Sequence, residues 1–95
     1  SPIGCLAAVH VAAATPNALA VEFHSADCPW WDDLVTGLPK PIVQNGFIAV
    51  PEGPGLGIEA LDDGVIAQHL HPGVPGLWEP TSEWDDRWSH DRLWS

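Results

Sequence analysis

The sequence has no methionine and few cations. Three Lys and Arg stand against 13 Asp and Glu, for a formal net charge of −10. So few cations exclude unaided binding to a nucleic-acid backbone, where affinity comes from replacing phosphate counterions with Lys and Arg. The same shortage argues against an anionic membrane surface as a partner. No apolar run reaches the roughly 18 residues of a membrane span. The nearest, residues 6–14, is interrupted by His10 and stops at Thr15-Pro16. It has no positively charged leader, so it does not read as a signal peptide. Two cysteines, Cys5 and Cys28, are too few for a disulfide framework and read as reduced thiols of a cytosolic protein. With 95 residues there is room for one small domain and not for two. The abrupt opening, Ser1-Pro2 running straight into an apolar segment with no Met, is the expected look of a piece of a longer chain.

What is present argues for folded structure. A hydrophobic content of 45% is too high for disorder, and nine Gly with ten Pro predict many turns and irregular stretches. Residues 2–14 read as a helix, with Ser1 as N-cap and Pro2 in the first turn. It is apolar on nearly all sides, which predicts burial. Residues 18–23 (ALAVEF) read as a short strand, apolar on both faces until Glu22, as in a parallel strand covered on both sides. Helix, three-residue break and buried strand make the αβ half of a βαβ unit. One parallel strand is not a fold, and the sequence offers no second of its kind.

Further on, a helical turn is predicted around residues 30–35. Asn45-Gly46 between Ile42-Val43 and Phe47-Ile48-Ala49-Val50 predicts a hairpin, because Asn-Gly supplies the positive φ angles of a tight turn. PEGPGLG at 51–57 is a fixed irregular turn. Asp62 or Asp63 caps a helix running to about His69, with Leu61, Val65, Ile66 and Leu70 as its apolar stripe. From Pro72 the tail is rich in Trp, Pro and acids and shows no period.

The stretch AAATPNALAVEF, then the hairpin, then VPEGPGLGIEALDD, resembles the C-terminal end of the mandelate racemase and muconate-lactonizing branch of the enolase superfamily. The resemblance runs over about residues 2–71, with several motifs in family order. Asn45-Gly46 departs from the more usual Asp-Gly, and both serve a tight turn. The resemblance implies an α/β fold class: the C-terminal part of a modified (β/α) TIM-type barrel, then a hairpin and helix returning to an α+β capping domain. Residues 1–38 would be the last helix and strand of the barrel with the following loop. Residues 39–95 would be the crossing segment that completes the capping domain, ending in the Trp- and acid-rich tail.

Glu22 is the leading candidate for chemistry, as a lone acid at the C-terminal end of an apolar strand, where barrel enzymes put catalytic groups. The plainer alternative is an acid that turns into solvent. The resemblance implies that it hydrogen-bonds a carboxylate oxygen of the substrate while protonated, and so holds the charge of an enediolate. His24, two residues on, falls on the same strand face and is the candidate to touch a substrate hydroxyl or leaving group. Asp27, Asp32 and Asp33 around Trp30-Trp31 read as solvated loop acids, although carboxylates also suit Mg²⁺. His69 and His71 read as helix-end residues and His10 as a core histidine. Trp78, Trp84, Trp88 and Trp94 read as packing at a contact, with a sugar-binding face as the alternative.

The resemblance also implies Mg²⁺ as cofactor, bound by acids on earlier strands absent from this sequence, so no metal ligand is assigned here. The family's His base would lie just before residue 2, and Lys40, between two prolines, does not match a base position. The expected activity is dehydration of an acid sugar by the parent enzyme, with a racemase or epimerase of the same superfamily as the alternative. The segment alone is expected to be inactive and poorly folded. A small non-catalytic module binding through its tryptophans is the contrasting reading. Expected partners are a carboxylate substrate, the rest of the barrel and capping domain, and further copies in a homo-oligomer, with no nucleic acid and no membrane. The expected compartment is cytoplasmic.

Overall fold

Ser1 begins the structure by capping a helix. In the computed structural model, which describes residues 1–79 and 82, the Ser1 hydroxyl accepts from the Gly4 backbone N–H at 3.4 Å. The helix it starts is α1, Pro2–Ala13. Pro2 fits the first turn because its missing N–H would have had no intrahelical partner there. Only Pro2, Leu6 and Val9 are buried, whereas Val11 is 67% exposed. The expected all-round burial is therefore corrected: one stripe is covered, and the opposite side faces outward. Thr15 Oγ1 donates to the Val11 carbonyl at 2.6 Å, and the chain leaves the helix there.

Residues 18–23, expected as a strand, form none among the described residues. The Ala18 N–H closes a turn onto the Thr15 carbonyl, and Leu19 is fully exposed. The reason is physical. A strand exists through hydrogen bonds to neighbours about 4.8 Å away, and a parallel neighbour must come from a distant part of a chain. The apolar pattern is present without the partner that would turn it into a ladder.

The core lies further along. Trp31, Val35 and Ile42 are buried together, with Phe23, Cys28, Leu38, Ile48, Ile58 and Leu61 packed around them. Asp32–Leu34 forms one 3-10 turn. Asp32 Oδ1 accepts from the Ile42 N–H at 3.2 Å, and Asp33 Oδ1 pairs with Lys40 Nζ at 2.8 Å. The loop acids thus fasten this turn to residues 40–42, which contain a cis Lys40–Pro41 bond.

The hairpin forms as the Asn-Gly turn predicts. β1 (Val43–Gln44) pairs antiparallel with β2 (Phe47–Ile48), in the register Val43 with Ile48 and Gln44 with Phe47. Asn45 and Gly46 both take positive φ. A second antiparallel contact joins Val35 to Leu61. Around it the Thr36 N–H donates to the Ala60 carbonyl at 2.9 Å, and the Asp62 N–H donates to the Leu34 carbonyl at 3.0 Å. Asp62 then caps α2, Asp63–Gln68, by accepting from the Val65 N–H at 3.0 Å. His69 ends α2, with Nδ1 2.8 Å from the Val65 carbonyl and its ring stacked on Trp30 at 4.1 Å. The expected tail residues Trp84, Trp88 and Trp94 lie outside the described residues.

Candidate functional site

After α1 and its terminal turn, the chain passes in extended fashion towards the core cluster. Alternation of side chains along such a run places Glu22 and His24 on one side and Phe23 on the other. The structure has that arrangement. Phe23 turns inward against Trp31, with ring centroids 4.9 Å apart and planes at 80°, an edge-to-face contact. Glu22 and His24 turn outward together. His24 Nε2 stands 3.2 Å from Glu22 Oε2, with the two side chains 76% and 82% exposed.

Both candidates line a recess of about 230 Å³, together with Ser1, Cys5, Ser25 and Trp31. A carboxyl beside an imidazole can share a proton, present a hydrogen-bond donor to an anionic oxygen, or accept from a hydroxyl. Burial pushes the Cys5 thiol above its ordinary value, which favours the uncharged form on this wall. Trp31 is 5% exposed, and its indole Nε1 has no hydrogen-bond partner among the described residues. The edge contact between Phe23 and Trp31 was not legible beforehand. Alternation alone signals that Phe23 faces away from Glu22, and nothing local names its partner.

The other candidates separate from this recess. Asp32 and Asp33 serve the loop contacts described above. His10 is half-buried, with Nε2 3.4 Å from the Leu56 carbonyl, so it links α1 to the turn at 51–57. His69 serves the end of α2, and His71 Nδ1 lies 2.8 Å from the Pro72 carbonyl. Trp78 donates from Nε1 to Asp63 Oδ1 at 3.1 Å. Among the described residues, no group of three or more His, Cys, Asp or Glu side chains is placed to hold a metal ion. These residues therefore do not fit a Mg²⁺ site. No described helix is long and apolar enough to cross a membrane.

The enolase C-terminal domain-like family matches residues 1–64, which include Glu22 and His24. The chain belongs to that family. Membership assigns it to the α/β-barrel part of the enolase superfamily. The chain is similar to a D-xylonate dehydratase of Haloferax volcanii, 47% identical over 73 residues. That alignment covers 77% of this chain and 17% of the relative, so the chain spans less than a fifth of that protein's length. No solved structure matches the chain. The acid-sugar dehydratase-like character read from the sequence agrees with both matches.

Proposed function

We propose that this chain is the C-terminal part of an enzyme that dehydrates an acid sugar. Such a reaction removes the proton α to a carboxylate, leaves an enediolate, and then expels the β-hydroxyl as water. The observation that carries the reading is the Glu22–His24 pair, 3.2 Å apart on one side of the segment that leads into the recess. Glu22 donates a hydrogen bond to one oxygen of the substrate carboxylate, where charge grows as the proton leaves. Donors placed where charge develops contribute large rate effects when water is excluded. His24 is positioned to exchange a proton with Glu22 and to contact the departing hydroxyl. The base that takes the α-proton, and the acids that hold Mg²⁺, lie in parts of the enzyme outside this sequence.

The similarity to D-xylonate dehydratase favours dehydration over racemisation within the superfamily. The same reading makes residues 1–38 the closing unit of the barrel and residues 39–95 the return to the capping domain. It also makes the functional enzyme a homo-oligomer of the cytoplasm, in keeping with free Cys5 and Cys28.

The test is a panel of acid sugars given to the full-length enzyme with Mg²⁺, read by formation of the 2-keto-3-deoxy product. Glu22→Ala is expected to lower kcat by about 10²- to 10³-fold, as loss of one charge-stabilising donor does. Glu22→Gln keeps a neutral donor and is expected to lose less. Unchanged kcat/KM in Glu22→Ala would overturn the assignment, and a panel with no turnover would overturn the reaction class.

A further inference from the structure

We infer that Trp31 is a positioning residue that sets the Glu22–His24 pair through the edge of Phe23, an inference that rests on the proposed role of Glu22. Among the described residues, the side chains of Glu22 and His24 pair only with each other. Both side chains are largely exposed, their mutual contact is 3.2 Å, and the segment carrying them pairs with no strand among the described residues. Between them sits Phe23, the inward-facing residue of the run. Its ring meets Trp31 at 4.9 Å and 80°, and Trp31 is buried with Val35 and Ile42.

The buried cluster is itself fastened. Val35 bridges to Leu61, and the Ile42 N–H is held by Asp32, the residue after Trp31. The fastened cluster therefore reaches the outward pair through this aromatic edge, beside a backbone path in which the Cys28 N–H bonds to the Ser25 carbonyl at 3.0 Å and the Trp31 N–H to the Cys28 carbonyl at 3.1 Å. Edge-to-face geometry is directional, so it fixes the azimuth of the Phe23 ring as well as its depth. Fixing Phe23 fixes where its neighbours on the opposite side emerge.

The indole N–H has no part in this. Among the described residues Nε1 is buried without a partner, so Trp31 acts by its ring and not by a hydrogen bond. This separates two substitutions. Trp31→Phe keeps an aromatic edge and discards the unpartnered donor. Trp31→Ala discards the edge.

The experiment is a kinetic double-mutant cycle in the full-length enzyme, assayed on the acid sugar it turns over best. Trp31→Ala is expected to lower kcat by about 10- to 100-fold, because misplacing a reacting group by about 1 Å costs on that order. KM should move less than threefold, on the order of the change left when remote substrate contacts are intact. Trp31→Phe should recover most of kcat. Phe23→Leu, which keeps apolar burial and removes the ring on the other side, should reproduce the kcat loss if Trp31→Ala does not fold. In a Glu22→Ala background, neither Trp31→Ala nor Phe23→Leu should cost much more, since residues acting through one group are not additive.

Equal losses in Trp31→Phe and Trp31→Ala would overturn the inference and point to the N–H. Fully additive losses with Glu22→Ala would overturn it too, as would Phe23→Leu with wild-type kcat. Failure of the proposed function looks different: Glu22→Ala alone would then leave turnover unchanged.

Discussion

Gly57 is the position where the structure allows the sharpest calculation. It closes the turn at 51–57 with φ +79°. A Cβ built there runs into the Cβ of Pro51, with the Pro51 Cγ at 3.3 Å and Cα at 3.4 Å. A proline ring is tied to its own backbone and cannot swing aside. Left-handed backbone costs a non-glycine residue about 1–2 kcal/mol. Forcing a methyl into occupied space costs about 1–3 kcal/mol more. Alanine also narrows the unfolded ensemble, which returns about 0.4–1 kcal/mol. Gly57→Ala is therefore expected to destabilise by about 1–4.6 kcal/mol net. Gly55 is the internal control, because it has φ +64° in the same turn and nothing within 4 Å of its Cβ position. Gly55→Ala carries the backbone term alone, about 0–1.5 kcal/mol net. The assay is urea denaturation of the full-length protein, comparing midpoints at constant m. Equal losses in the two variants would refute the reasoning, because only the collision with Pro51 distinguishes them.

Asp62→Ala removes the side chain that accepts from the Val65 N–H at 3.0 Å. Its expected cost is about 1 kcal/mol, the usual value for an N-cap. Asp62→Asn should recover most of it in the same denaturation assay. Cys5 is held above its ordinary thiol range by burial. Its folded-state value is raised, so the unfolded chain loses the proton first as pH rises and then binds fewer protons than the folded one. The contribution of Cys5 to stability is present below the unfolded thiol range and falls as pH climbs through the folded one. Cys5→Ser is expected to flatten that alkaline decline, read as the midpoint of denaturation between about pH 8 and 10.

What was legible in the sequence follows the range of the interactions. Asn45-Gly46 names its own turn, and Ser1 and Asp62 name their helix starts, because each donor or acceptor lies within three residues of its partner. Glu22 and His24 were brought together by alternation alone, over two residues. The strand at 18–23 was misread because its periodicity is local while its pairing is not. The contacts missed altogether are distant ones: Trp30 on His69, Val35 with Leu61, and His10 with the Leu56 carbonyl. In each, the two residues are ordinary in their own neighbourhood. Only closure of the chain around Trp31, Val35 and Ile42 makes them meet.

The same distinction bears on the site. On the proposed reading, Glu22 must hold charge where water is excluded, since the worth of a donor falls steeply in high dielectric. Glu22 is 82% exposed, and the described residues do not bury it. Beside it, Leu19 is fully exposed, and an apolar groove of about 330 Å³ runs between α1, Leu19, Val21 and the hairpin. Barrel strands supplied from the rest of the enzyme would meet both needs in one step. They would pair with the backbone of 18–23, cover Leu19 and Val21, and shield Glu22 from solvent. Edge pairing and water exclusion are then one event seen from two sides. On that reading, the segment 18–23 is apolar on both faces because such strands would cover it, and Glu22 stands near its end, where that cover would open.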